Sequence, residues 1–596
     1  MLKKLTLLVA SLLLFSSVLS AAELSAADLD RRRKALADLI DAQWQWTMRR
    51  APEYASILGD KRYNDRVSDF SEKSVQESLA GTRDFLRRFE AIDPLAFSEQ
   101  ERLNRELMIR DLRETLEGAK LNDWQMPVTQ QSGFHLSAAQ LPSMLTFTAA
   151  KDYDDYIARM HQFPKQMRDL TANMRKGMAA KRMPPRFLLE KVAEQAAGLA
   201  AMEPEKSPFA ASLESFPASV SEADRTRIRT AMLDAIRTEV LPAYAEFAKF
   251  VRDEYAPHGR TEPGIWALPD GAARYAFLAK QSTTTDLTPA QIHEIGLREV
   301  ARIEGEMRAI AKAQGYDDLK KFNAFIDANP ELKAKTPENL LNLYRGFIDQ
   351  MYAKLPQLFG RLPKAKLEVV PTEPFREQTA ASAEYNAGAP DGSRPGRVMV
   401  NTYDSANRKI IFTESTAYHE GVPGHHMQVS IAQELTDLPT FRQQGGYTAF
   451  VEGWALYSER LGKEVGFYQN AFIDYGRLND EMLRAIRLVV DTGLHSKKWT
   501  REQVVQFFRD HSATDEVEIQ SETDRYIAWP GQALAYKIGQ LKILELREKA
   551  QRELGAKFDI RAFHDEVLGA GALPLGVLEQ RIDRWIDAEA HRLTGS

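Results

Sequence analysis

A large, mainly α-helical protein with one small β-sheet is the fold class that this sequence predicts, on three observations. Apolar residues recur at three-to-four spacing over ten long segments. Only two runs have strand character. Both of those runs fall in one stretch, just ahead of a cluster of histidines. With 596 residues, 44% of them hydrophobic, the chain can bury a sizeable core in one large domain or two.

The first 22 residues read as an export signal rather than as structure. Lys3 and Lys4 make a positive start, Leu5 to Val18 is an apolar stretch too short to span comfortably, and Ser20-Ala21-Ala22 is a small-residue cleavage site. Cleavage near Ala22 and delivery to the periplasm are expected. No later window approaches 18 apolar residues, so no stable membrane anchor is expected after cleavage. The sequence contains no cysteine, which closes the lipid-anchor route and removes disulfides and thiolates. Any metal must then be held by His, Asp and Glu. The net charge of −5 is small for this length, and no block of like charge runs long. Composition therefore makes no case for nucleic acid or a membrane surface as partner.

Helices are expected over 27–49, 74–91, 99–118, 151–179, 223–256, 289–314, 337–355, 467–495, 530–552 and 574–592. Thr288-Pro289 is a start signal, an N-cap followed by proline at the first helical position. Pro257-His258-Gly259 and Pro269-Asp270-Gly271 interrupt the helices and set a soft boundary near 257–287. It separates an N-terminal helical region, 23–285, from a C-terminal region, 286–596, the two packed as one unit. The strand-like runs are Leu367-Glu368-Val369-Val370 and 397–402, with a turn-rich loop from Asn386 to Gly396 before the second.

Three of the eleven histidines then fall in His419-Glu420-Gly421-Val422-Pro423-Gly424-His425-His426. Catalytic zinc takes three protein ligands and a water, whose pKa it lowers towards neutrality. In the common His-Glu-x-x-His arrangement the two histidines share a helical face and the Glu is the general base. Here the fourth residue after His419 is Pro423, which cannot ligate. In a regular helix His425 would lie about 600° around and about 9 Å along the axis, and His426 about 10.5 Å along. Two ligands of one zinc ion, each bonded at about 2.0–2.1 Å, cannot be so far apart. Pro423 breaks helices, and Gly421 and Gly424 allow unusual dihedrals. A helix that bulges over 421–424 and resumes at His425 would bring His425 beside His419, leaving His426 as an outer, substrate-facing neighbour. The reverse assignment of the two histidines stays open.

Downstream, Glu452-Gly453-Trp454-Ala455-Leu456-Tyr457 resembles the segment that carries the third, glutamate ligand in the gluzincin metallopeptidases. Gly453 would allow a close approach to the metal, and Glu414 and Glu459 compete with Glu452 for the role. The chain also carries a contrasting pair, His293-Glu294, with Leu297 four on from the histidine and no second histidine. That pair is expected to be ordinary core or surface.

The 419–426 motif and the following Glu-Gly-Trp-Ala-x-Tyr resemble the bacterial domain-of-unknown-function family 885. Leu268-Pro269-Asp270-Gly271, Asp391-Gly392-Ser393-Arg394-Pro395-Gly396 and Pro530-Gly531-Gln532-Ala533-Leu534-Ala535-Tyr536-Lys537 are similar as well. The resemblance runs over nearly the whole chain beyond the leader. It implies a largely helical, zincin-like fold of the gluzincin kind, and no particular substrate.

Other residues are candidates around that centre. Arg484, Arg487, Asp491 and His495 recur every three or four residues in an apolar helix. They form either a solvated face or a polar stripe in which Asp491 orients His495 and an arginine grips a substrate carboxylate. Tyr536, then Tyr526, then His495 are candidate donors to a developing oxyanion, and Arg525 joins Arg484, Tyr526 and His426 as a candidate substrate contact. Run 397–402 could pair with an extended peptide if it is an edge strand. His135 could enter from the N-terminal half but is better read as core.

The leading reading is an exported zinc hydrolase acting on short peptides or small amides. His419, His425 and Glu452 would hold Zn2+, and Glu420 would take a proton from the bound water and pass it to the leaving amine. The alternatives are a binding or scaffold protein with a degenerate site, and a metal hydrolase acting on a non-peptide amide. His and Glu ligands also suit other divalent ions.

Overall fold

The computed structural model describes residues 26–592 except 375, 378 and 379. The export-signal reading of 1–22 lies outside the described residues.

The N-terminal half is helical because its apolar stripes find one another. Ala26–Arg50, Glu72–Glu90 and Glu99–Ala119 pack through Leu36, Leu39, Phe85, Phe89, Met108 and Leu112. Ser98 and Glu101 form a reciprocal capping box at the start of the third of these helices. The single helix expected over 151–179 is two, Ala150–Met160 and Phe163–Ala179. Pro164 explains the break, since a proline is tolerated in a first helical turn and not inside a helix. Likewise 222–255 is a run of α-helix with two π-helical turns, 236–240 and 251–255, next to Pro242 and Pro257. These elements share a core running from Val128 to Ala256.

The C-terminal half carries the candidate site. Helix α1 (Pro289–Ala313) begins at a Thr288–Gln291 capping box. A three-stranded sheet follows, made of β1 (Leu367–Pro371), β2 (Ala383–Asn386) and β3 (Gly396–Val400), in the order β1-β3-β2. β1 runs parallel to β3 (Val369 opposite Val398) and β2 antiparallel to it (Tyr385 opposite Val398). The run expected to present an edge to a peptide is thus the central strand, with both sides already paired. The edge strand packed near the histidine helix is β2, which is four residues long and shows no alternation strong enough to read.

After the sheet come α2 (Thr413–Glu420), α3 (His425–Gln433), α4 (Thr448–Glu464), α5 (Ala471–His495), α6 (Glu516–Ala528) and α7 (Ala535–Leu554). Every residue of α5 from Met482 to His495 is buried. Its polar stripe is therefore an interior feature and not a solvated face. α1 packs along α5, and α4 packs along α7. The α4–α7 crossing is close because glycines meet there. A Cβ on Gly453 would come within 2.4 Å of the Gly539 backbone. Gly453 thus serves the helix crossing. Among the described residues no helix is long and apolar enough to cross a membrane.

Candidate metal centre

α2 ends at Glu420, capped by Gly421, and α3 starts after Gly424, with a turn containing a cis Val422–Pro423 peptide between them. The Gly424 N–H donates to the Tyr418 carbonyl at 3.0 Å, folding the turn back on the helix it leaves. No side chain fits there, since a Cβ on Gly424 would lie 1.9 Å from the His419 carbonyl oxygen. From α4, the Trp454 indole N–H donates to the Pro423 carbonyl at 2.9 Å. The tryptophan of the Glu-Gly-Trp segment thus pins the turn that separates the two histidines.

This reversal draws the His419 and His425 rings to 4.8 Å between centroids, nearly perpendicular at 86°. Their Nε2 atoms face one oxygen of Glu452, Oε2, at 3.7 Å from His419 and 3.3 Å from His425. That oxygen is buried and has no hydrogen-bond partner among the described residues. Donor atoms tetrahedrally arranged at 2.0–2.1 Å from a zinc ion stand about 3.3–3.5 Å apart. The Glu452 oxygen stands at 3.3 and 3.7 Å from the two imidazole nitrogens, close to the separations such an ion would set. Glu420 completes the group, having a ligating atom within 4.8 Å of both histidines.

Behind His419 stands Glu459, whose Oε1 accepts the Nδ1 hydrogen at 2.7 Å. That bond selects the tautomer whose Nε2 lone pair is free for a metal. Glu459 in turn lies 3.8 Å from Arg484, which is 3.4 Å from Asp480; Ser415 donates to Asp480. Glu459 thus stands behind His419, bonded to the nitrogen that faces away from Glu452. Glu414 is engaged elsewhere, accepting from the Tyr418 hydroxyl.

The electrostatics follow from burial set against these pairings. Burial would lower the His419 pKa, but the nearby Glu452 carboxylate and the hydrogen bond to Glu459 outweigh it and raise it to about 10. Burial would raise Glu452, but the close approach of His425 and His419 holds it well below the usual carboxylate range. Glu420 is shifted upward by burial, against the pull of His419 and His425. It makes no hydrogen bond to any described residue.

Tyr536 stacks on His419, with centroids 6.3 Å apart and planes at 19°. Its hydroxyl oxygen accepts from Arg525 at 2.9 Å and from Gln532 at 3.4 Å, and no described residue accepts the hydroxyl's own proton. Among the candidate oxyanion donors it is the one that stacks on His419.

The remaining candidates sit elsewhere. His495 is buried with both nitrogens engaged by backbone: Nδ1 accepts from the Ile265 N–H at 3.0 Å and Nε2 donates to the Tyr526 carbonyl at 2.9 Å. Asp491 does not orient it. Instead Asp491 accepts from the Tyr275 hydroxyl at 2.6 Å and from the Gly531 N–H. The i,i+4 spacing put the two on one face, but the interior offered each a better partner. Tyr526 spends its hydroxyl on Glu522 and is 1% exposed, so it supports neighbours rather than meeting a substrate. Arg484 lies between Glu459 and Asp480, paired with both. His426 is fully buried and turned towards the sheet, with Nδ1 at 3.1 Å from the Tyr385 hydroxyl and 3.4 Å from Ser430. It stands in no open, substrate-facing position. His135 is core in the N-terminal half, beside Gln195 and Phe247.

Missed from sequence were the Glu459 backing, the Trp454 pin and the place of Arg487, whose guanidinium lies 4.5 Å from the Tyr536 ring centroid. The Arg487 side chain also bonds Glu522 and Tyr526. Nothing local marks such contacts, because each joins residues far apart in the chain.

Comparison with known proteins places this architecture. A solved structure described as a "putative lipoprotein" from Colwellia psychrerythraea is 31% identical, with a TM-score of 0.88. The match covers 94% of this chain and 99% of that one. A second, of the same description and from Shewanella oneidensis, shares the fold at 18% identity and a TM-score of 0.69, covering 91% and 99% of the two chains. No curated protein matches the chain. The family described as "Bacterial protein of unknown function (DUF885)" matches residues 52–582, and this chain belongs to that family.

Proposed function

We propose that this protein is an exported, metal-dependent hydrolase of zincin-like type, that zinc is its ion, and that it cleaves amide bonds in short peptides. One observation carries the proposal: a single unbonded Glu452 oxygen standing 3.3 and 3.7 Å from the Nε2 atoms of His425 and His419. His419, His425 and Glu452 would hold the ion. Bound there, zinc supplies a Lewis acid that polarises a carbonyl and brings the pKa of a coordinated water towards neutrality.

The chain's own groups supply the rest. Glu420, unbonded and raised in pKa by burial, takes a proton from water and returns it to the departing amine. Tyr536 keeps its hydroxyl proton free and directs it towards the carbonyl oxygen as negative charge develops. Glu459 keeps His419 in the metal-binding tautomer. Arg484 and Asp480 keep Glu459 in place.

Export is supported by the leader's residue pattern and by solved relatives each described as a "putative lipoprotein". The chain has no cysteine to carry a thioether-linked lipid, so a form free of that anchor is proposed.

The test is metal content and peptide turnover of metal-replete protein beside its Glu420→Gln variant. One zinc per chain in both, with turnover lost by roughly 10²–10⁴-fold in the variant, supports the reading. Absence of zinc from both would leave a scaffold, and equal turnover in both would remove Glu420 as the base.

A further inference from the structure

A buried arginine, Arg487, and a partly buried one, Arg525, share one counter-ion beside Tyr536. Arg487, 3% exposed, donates from Nη2 to Glu522 Oε2 at 2.7 Å and from Nε to the Tyr526 hydroxyl at 3.0 Å. Its Nη1 has no hydrogen-bond partner. Arg525 donates from Nη1 to Glu522 Oε1 at 3.2 Å and from Nη2 to Gln532 and Tyr536. Its Nε likewise has no partner. Among the described residues Glu522 is the one carboxylate paired with either guanidinium. The charge pairing drives Glu522 far below its ordinary range, against burial, so it is an anion at neutral pH. The trio taken by itself therefore carries one more positive than negative charge, with two guanidinium nitrogens unbonded.

Arg484 makes the contrast. It has two carboxylates, Asp480 and Glu459, within ion-pair distance. An uncompensated buried charge is among the costlier features a fold can keep, and arginine is suited to holding a planar carboxylate by two parallel hydrogen bonds. A singly charged carboxylate would match the surplus, whereas a phosphate dianion would exceed it.

Position names the carboxylate. The Tyr536 ring lies 4.5 Å from Arg487 Cζ and 6.0 Å from Arg525 Cζ, and its other neighbour is the His419 ring at 6.3 Å. An extended residue spans at most about 3.3–3.6 Å, so the guanidinium groups stand within about three residues of the metal-facing histidine. We propose that Arg487 and Arg525 form a subsite for the C-terminal carboxylate of a peptide, so that cleavage releases a fragment of about one to three residues from that end. The proposal rests on the hydrolase reading for its chemistry, in which water adds across one amide to give a shortened acid and an amine. The subsite itself is a binding property and is tested as one.

The experiment uses zinc-loaded Glu420→Gln protein and equilibrium dialysis against two pools. One pool contains N-acetylated random tripeptides with free C-terminal carboxylates, and the other contains the same peptides as C-terminal amides. The acid pool is expected to bind roughly tenfold or more tightly, and the preference to vanish when Arg525→Gln is added. Equal retention of the pools overturns the subsite, as does retention of neither. Selective retention of amides that carry Asp or Glu side chains also overturns it, because the anion recognised would then be a side chain. The acid-to-amide comparison needs no change at either arginine, so a misfolded Arg525 variant does not void it. Unmutated enzyme on acetylated hexapeptides separates the two readings. Discrimination without hydrolysis keeps the subsite and removes the hydrolase, and hydrolysis that ignores amidation does the reverse.

Discussion

The chain carries the same dipeptide twice in helices, and the two copies have different fates. His293 of His293-Glu294 lies in the unbroken α1, with Nδ1 at 2.8 Å from the Thr492 hydroxyl, and burial with Lys497 nearby lowers its pKa. His419 of His419-Glu420 sits one residue from the end of α2, with Nδ1 bonded to a carboxylate, and its pKa rises to about 10. A hydroxyl partner leaves an imidazole weakly basic, while a carboxylate partner makes it more basic, so that its far nitrogen holds a proton, or a metal in its place, more strongly. The motif is shared, and what stands behind it decides the chemistry.

The largest expected effect tests that contrast directly. His419→Ala should abolish zinc binding, measured as metal per chain after dialysis, while His293→Ala keeps its zinc. Loss of metal from both would break the distinction. Tyr536→Phe should come next, lowering kcat by about 10²-fold or more with zinc content intact, if its hydroxyl meets the developing charge. A change confined to KM would assign the ring to substrate packing instead.

Removing the groups behind the two histidines should have smaller and divergent effects. Glu459→Gln should weaken zinc affinity by about 10–100-fold in a chelator competition. Thr492→Ala should leave affinity unchanged and cost about 1 kcal/mol of stability in denaturant unfolding. Trp454→Phe removes the hydrogen bond to Pro423 and should cost about 1–3 kcal/mol, since it leaves a buried carbonyl unpaired.

The mildest effect concerns acid. Burial lowers the His495 pKa to about 3, and its hydrogen bond to the Tyr526 carbonyl only partly opposes this. The unfolded chain, with a value near 6.5, then binds more protons than the folded one between those pH values. This contribution to stability is complete above about pH 6.5 and is lost as pH falls towards 3. Thermal melting followed from pH 7 to pH 4 should therefore fall less steeply in His495→Gln than in the unmutated protein. Parallel curves would show that another group drives the acid limb.

Several features were legible locally. The long helices follow from apolar spacing, and the interruption between α2 and α3 is written in Pro423 with Gly421 and Gly424. The capping of α1 is visible in Thr288-Pro289. Each is a matter of dihedral preference or of partners within a turn, which the chain carries with it wherever it folds. The split at Phe163–Pro164 was equally local and could have been read from the proline.

What required the tertiary structure was every pairing made across distance. Four polar residues on α5 share a face by sequence, yet three different surroundings claim them: Arg484 braces Glu459, Arg487 joins Glu522 and Tyr536, and Asp491 and His495 are taken by backbone and Tyr275. A helix sets which residues point the same way, but burial decides their partners. A polar group inside must bond whatever other elements bring within about 3 Å. The sequence by itself determined a helical protein, one small sheet, and a broken His-Glu helix ahead of a Glu-Gly-Trp segment. Only the fold decided that His425 rather than His426 turns its Nε2 to Glu452, and that Glu459 stands behind His419. Such contacts join residues tens of positions apart, whose meeting no local preference encodes.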